Sequence, residues 1–93
     1  MHNRTIPKIL VVDDEPHNIQ VLRIRLQAEG YSVLTATNGQ EALEQVKTRS
    51  PDLILLDVMM PKMNGFEVCE RIRLDKTTQF IPIVMATALS ETP

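Results

Sequence analysis

Apolar and polar positions fall along this chain in two kinds of block. Ile9-Leu10-Val11-Val12, Leu53-Ile54-Leu55-Leu56 and Ile83-Val84-Met85-Ala86 are unbroken apolar runs of four. Short continuous runs rich in Val, Ile and Leu are how strands buried on both faces of a parallel sheet read. Residues 8 to 12 and 53 to 56 are therefore expected at the centre of a sheet. Tyr31 to Ala36 is less apolar and only partly β-branched, which places it nearer an edge.

Between these runs the spacing becomes helical. Pro16 suits a first helical turn, Ile19, Leu22 and Leu26 recur at helical intervals, and Gly30 offers a stop. Asn38-Gly39-Gln40-Glu41 and Asn64-Gly65-Phe66-Glu67 both resemble capping boxes with Asn at the cap. Ala42, Leu43 and Val46 supply the apolar stripe of the second helix. Phe66, Cys69 and Ile72 are expected to form the buried face of a third, ending near Leu74. A polar loop, Asp75 to Gln79, then leads through Pro82 to the last strand. Strands alternating with helices argue for right-handed crossovers and a parallel sheet covered on both faces, a doubly wound α/β fold.

Composition narrows the picture. Ninety-three residues form a single domain at the small end of the usual range. One Tyr, two Phe and no Trp in a chain that is 43% hydrophobic mean an aliphatic core. A net charge of −2 and a pI near 5.6 give no general attraction to nucleic acid, so no direct nucleic-acid partner is expected. The single Cys69 cannot form an intramolecular disulfide, and neither a signal-peptide pattern nor a membrane-spanning stretch is present. A reducing, cytoplasmic setting away from the membrane is the default expectation.

The chemistry lies at the ends of the apolar runs. The first runs into Asp13-Asp14, the second into Asp57, the third into Thr87. Each alone has an ordinary explanation: a helix cap favoured by the dipole, the first polar residue of a loop, a β-branched strand end. Together, at the edge where open α/β sheets place ligands, they would gather three carboxylates and a hydroxyl in one pocket. Such carboxylates repel one another and raise their pKa values unless a cation lies between them. Mg²⁺ suits an oxygen set that leaves room for phosphate oxygens. Asp57 could then attack phosphorus in line, with Thr87 donating to a phosphoryl oxygen.

The runs Val11-Val12-Asp13-Asp14-Glu15, Leu55-Leu56-Asp57-Val58-Met59-Met60-Pro61 with Gly65, and Met85-Ala86-Thr87-Ala88 resemble the receiver domain of two-component response regulators. The resemblance covers the chain from Lys8 onward. It implies a flavodoxin-like sheet, here with four strands in the order 2-1-3-4. It implies a protein that is not an enzyme but accepts a phosphoryl group on Asp57 from a histidine kinase or a histidine phosphotransfer protein. By the same resemblance Asp14, Asp57 and the backbone carbonyl of Met59 would hold Mg²⁺, with Asp13 acting largely through a metal-bound water. Thr87 would hydrogen-bond the phosphoryl oxygen and move with its loop on activation.

The family pattern has five strand–helix units, and this sequence stops just after its fourth strand. The expectation is a receiver domain over residues 1 to 93 that is truncated there, more in keeping with a fragment than with an abbreviated natural protein. The family's lysine at the end of the fifth strand would be missing, with Lys62 a poor substitute in a solvated loop. An unpaired apolar edge along Ile83 to Ala86 would favour self-association. The serious rival is a receiver fold that serves only as an interaction or assembly module. An aspartate-nucleophile phosphatase is disfavoured because Met59 stands where Asp-x-Asp needs its second acid. A flavin or nucleotide site is disfavoured because Asp13-Asp14-Glu15 would repel a phosphate.

Overall fold

A computed structural model of the chain describes residues 6 to 60 and 63 to 86. Seven elements follow in order: β1 (Lys8–Val12), α1 (Pro16–Ala28), β2 (Ser32–Ala36), α2 (Gly39–Arg49), β3 (Leu53–Asp57), α3 (Gly65–Leu74) and β4 (Ile83–Ala86). The strands form one sheet in the order β2-β1-β3-β4, every pair parallel. This is the doubly wound arrangement that the apolar runs predict, in the flavodoxin-like strand order that the resemblance implies.

The two faces of the sheet pack separately because alternate strand residues point to opposite sides. Leu10, Val12, Ile54 and Leu56 face α2 and α3 and join Ala42, Val46, Val68 and Ile72 in the larger core, with Ile83 and Met85 against it. Ile9 and Val11 face the other way, onto Ile19, Leu22 and Leu26 of α1, with Leu53 and Leu55 alongside. Both central strands are thus apolar on two faces, which is why neither shows alternation in the sequence. Among the described residues nothing pairs with the outer edge of β4, and Val84 on the α1 side is half exposed.

Helix ends follow local chemistry. Asn38 and Asn64 cap α2 and α3, their side chains accepting from the Glu41 and Glu67 amides at 2.8 and 3.0 Å. The reciprocal half of the box is displaced in α2, where the Glu41 carboxylate accepts from the amide and hydroxyl of Thr37. Helix α1 closes at Gly30, whose φ of +97° is the left-handed conformation that ends many helices. The cap of α1 is Glu15, without a side-chain bond, so neither Asp13 nor Asp14 is used as a helix cap.

One packing expectation is overturned. Phe66 is 64% exposed, and the inward stripe of α3 is Gly65, Val68 and Ile72, with Cys69 at its border. At 100° per residue Phe66 lies about 120° round the helix from Ile72, whereas Val68 and Gly65 fall within about 40° of it. Spacings of three and three drift off a helical face; spacings of three and four stay on it.

Candidate acidic site at the strand ends

The register brings the ends of three strands together. Val12 of β1 pairs with Leu56 of β3, and Asp57 pairs with Ala86 of β4. Asp13 therefore emerges beside Asp57 at the C-terminal edge of the sheet. Carboxylate oxygens of Asp13, Asp14 and Asp57 all lie within 4.8 Å of one another. Asp13 and Asp57 are wholly buried, and Asp14 is exposed at the mouth. The sequence-predicted acidic set is thus gathered in one place.

Hydrogen bonds fix each buried carboxylate by one oxygen and leave the other free. Asp13 Oδ1 accepts from the Glu15 amide at 2.9 Å, and Asp57 Oδ1 accepts from the Met59 amide at 3.0 Å. Asp13 Oδ2 and Asp57 Oδ2 are buried and have no partner among the described residues. Burial raises the Asp13 pKa above its ordinary 3.8, the Glu15 amide opposes this, and the Asp57 and Asp14 charges push it up further. Buried, unpaired acceptors of like charge are costly to leave unmet, so they mark a place for a ligand that brings positive charge.

The loop after β3 is held against the sheet by Gly65. Its amide donates to the Val58 carbonyl at 3.0 Å. A Cβ at this position would meet the Asp57 carbonyl oxygen and Val58 Cα at 2.7 Å each, closer than real side chains approach. Only glycine lets the start of α3 lie this near to Asp57.

Of the remaining sequence-predicted site residues, Met59 presents the amide that binds Asp57 and a side chain 69% exposed. Thr87 and Lys62 lie outside the described residues. The sequence reading passed over Asn18, the third residue of α1, whose Nδ2 is also buried without a partner. Its signal was faint, a polar residue between His17 and Ile19 near the start of a helix that leaves the acidic edge.

Comparison with known proteins defines the class. The family model for the response regulator receiver domain matches residues 9–93. The alkaline phosphatase synthesis transcriptional regulatory protein PhoP of Bacillus subtilis is 50% identical over 84 residues, 90% of this chain and 34% of its own length. The N-terminal domain of a response regulator receiver protein from Methanoculleus marisnigri superposes with a TM-score of 0.87 at 45% identity, covering 96% of this chain and 72% of that one. The response regulator TrrA of Thermotoga maritima, solved with Mg²⁺-BeF, gives a TM-score of 0.75 at 41% identity over 86% of this chain and 66% of that one. TrrA in complex with the histidine kinase ThkA gives 0.81 at 43% identity, covering 92% and 72%.

The chain belongs to the response regulator receiver family. It spans about a third of the length of the curated relative PhoP. Among the described residues no helix is long and apolar enough to cross a membrane.

Proposed function

We propose that the chain is the phosphoacceptor of a two-component phosphorelay, taking a phosphoryl group from a phosphohistidine onto Asp57 with the help of Mg²⁺, in a cytoplasmic setting. The observation that carries this reading is the acidic trio at the strand ends, in which a buried oxygen of Asp13 and one of Asp57 lack any partner among the described residues. Those oxygens fit a hard divalent cation, and TrrA has been solved in complex with Mg²⁺-BeF. Asp13, Asp14, Asp57 and the backbone carbonyl of Met59 are the proposed ligands. When bound, Mg²⁺ supplies the positive charge that lets an anionic carboxylate and an anionic phosphoryl group meet.

The chain's own residues do the positioning. The Met59 amide holds the Asp57 carboxylate by Oδ1 and so fixes its orientation at the C-terminal edge of the sheet, where the carboxylate faces both the proposed cation and the incoming phosphorus. The oxygen–phosphorus bond forms as the phosphorus–nitrogen bond of the donor breaks, and the electron pair leaves with the imidazole. The Glu15 amide holds Asp13 by one oxygen and frees the other toward the cation site. Thr87 follows Ala86, the partner of Asp57 in the register, and is the proposed hydroxyl donor to the phosphoryl group. A protein donor has apolar surface to grip beside the site, where Val58, Met59, Met60, Asn64 and Phe66 line a shallow depression.

Incubation with Mg²⁺ and acetyl phosphate, followed by intact mass spectrometry, tests this. One phosphoryl group is expected on the chain, absent in Asp57→Asn and absent when Mg²⁺ is chelated. A modification that persists in Asp57→Asn would exclude the assignment.

A further inference from the structure

Among the described residues, three buried polar atoms at the acidic site have no partner: Asp13 Oδ2, Asp57 Oδ2 and Asn18 Nδ2. The first two are acceptors, and a cation satisfies both. The third is a donor, and a cation cannot satisfy it. An amide N–H left buried and unmet costs stability, so its presence calls for an acceptor.

The acceptor at hand is Asp13. Asn18 lies beside it and is among the groups that favour its ionised form. Asp13 Oδ1 is already engaged by the Glu15 amide, whereas Oδ2 is free. The terminal torsion of an asparagine is broad, so the amide is free to turn its N–H toward Oδ2. A carboxylate oxygen has two lone pairs and can take an N–H on one and a cation on the other. With carboxylates on this side, only the nitrogen end of the amide can face the site favourably.

We propose that Asn18 is a positioning residue of the acidic site, its side-chain N–H donating to Asp13 Oδ2 and fixing that carboxylate for cation binding. The proposal rests on the cation-site reading above. Partners that orient a carboxylate from behind are worth roughly 10- to 100-fold in metal affinity. For a residue acting on one ligand of several, about tenfold is expected.

The test uses the full chain with Asn18→Leu, which keeps the shape and removes the donor, and Asn18→Gln, which keeps an amide. Mg²⁺ affinity is read by calorimetry, and the melting midpoint is read without metal. Asn18→Leu is expected to weaken Mg²⁺ about tenfold while the metal-free midpoint changes little, and Asn18→Gln to restore most of the affinity. Affinity within twofold of the parent in Asn18→Leu, or a loss that merely tracks a lower metal-free midpoint, overturns the proposal. Failure of the parent chain to bind Mg²⁺ would instead sink the cation reading. In that event the Asn18 side-chain amide resonances of the metal-free protein decide: a shift on Asp13→Ala supports the contact, and no shift overturns it.

Discussion

Gly65→Ala puts the smallest possible side chain at the tightest point beside Asp57. The new Cβ would lie 2.7 Å from the Asp57 carbonyl oxygen and from Val58 Cα, about 0.7 Å short of the 3.4 Å at which ordinary contact begins. Both opposing atoms belong to the backbone, so no rotamer change relieves the clash. Either the start of α3 lifts off the sheet, breaking the 3.0 Å bond from the Gly65 amide to the Val58 carbonyl, or the end of β3 moves with Asp57 on it. Overpacking of this kind costs about 1–3 kcal/mol, and the better helix propensity of Ala returns less than about 1 kcal/mol at a first-turn position. A net loss of about 1–2 kcal/mol corresponds to a fall in Tm of roughly 5–15 °C for a domain of this size. Because a displacement near 1 Å can cost a hundredfold in a positioned reaction, the phosphorylation rate of Asp57 should fall by about tenfold or more under conditions where the variant stays folded. Urea melts and timed mass spectrometry with acetyl phosphate read the two effects. A variant as stable and as readily modified as the parent would refute the claim that this contact sets the position of Asp57.

The remaining predictions concern charge and surface. Asp13→Asn removes one of the like charges, and unit charges near 5 Å repel by roughly 3 kcal/mol at an effective dielectric constant of 20. Part of that should appear as higher stability of the metal-free variant, together with weaker Mg²⁺ binding. The pH sign follows from the raised pKa of Asp13: its ionised form penalises the folded state above the folded pKa, and the penalty disappears as pH falls through that value toward 3.8. The stability advantage of Asp13→Asn should therefore shrink in metal-free melts as the pH is lowered through that window; an advantage that is constant with pH would contradict it. Self-association through the outer edge of β4 should appear as a mass that rises with concentration in light scattering, and Val84→Lys should reduce it. A monomer at every concentration would remove that expectation.

Much of this was legible in the chain because the same residues carry fold and site. The runs at Ile9–Val12 and Leu53–Leu56 announce parallel strands since both faces are covered, and a parallel sheet aligns their C-terminal ends with that of Ile83–Ala86. An Asp at the end of such a run is then at the ligand edge by construction. The caps at Asn38 and Asn64 were equally legible, since a cap acts within three residues of itself. The orientation of Phe66 was not, because two apolar residues at i and i+3 fit two adjacent faces and only tertiary packing chooses between them. Nor was the place of Asn18, because its meaning depends on which hydrogen bonds Asp13 has already made. The role of Gly65 was half visible: the turn could be expected, but the 2.7 Å approach to Asp57 is a fact of three dimensions.

The central claim is that Asp13, Asp14 and Asp57 form one cation site with Asp57 as its reactive oxygen. Calorimetric titration of the metal-free chain with Mg²⁺ tests it most directly, run in parallel on Asp57→Asn and Asp14→Asn. The account predicts one site in the parent, affinity reduced by about tenfold or more in each variant, and a rise in parent melting temperature with Mg²⁺ that both variants largely lose. Equal binding in all three chains, or no binding in the parent, would contradict it.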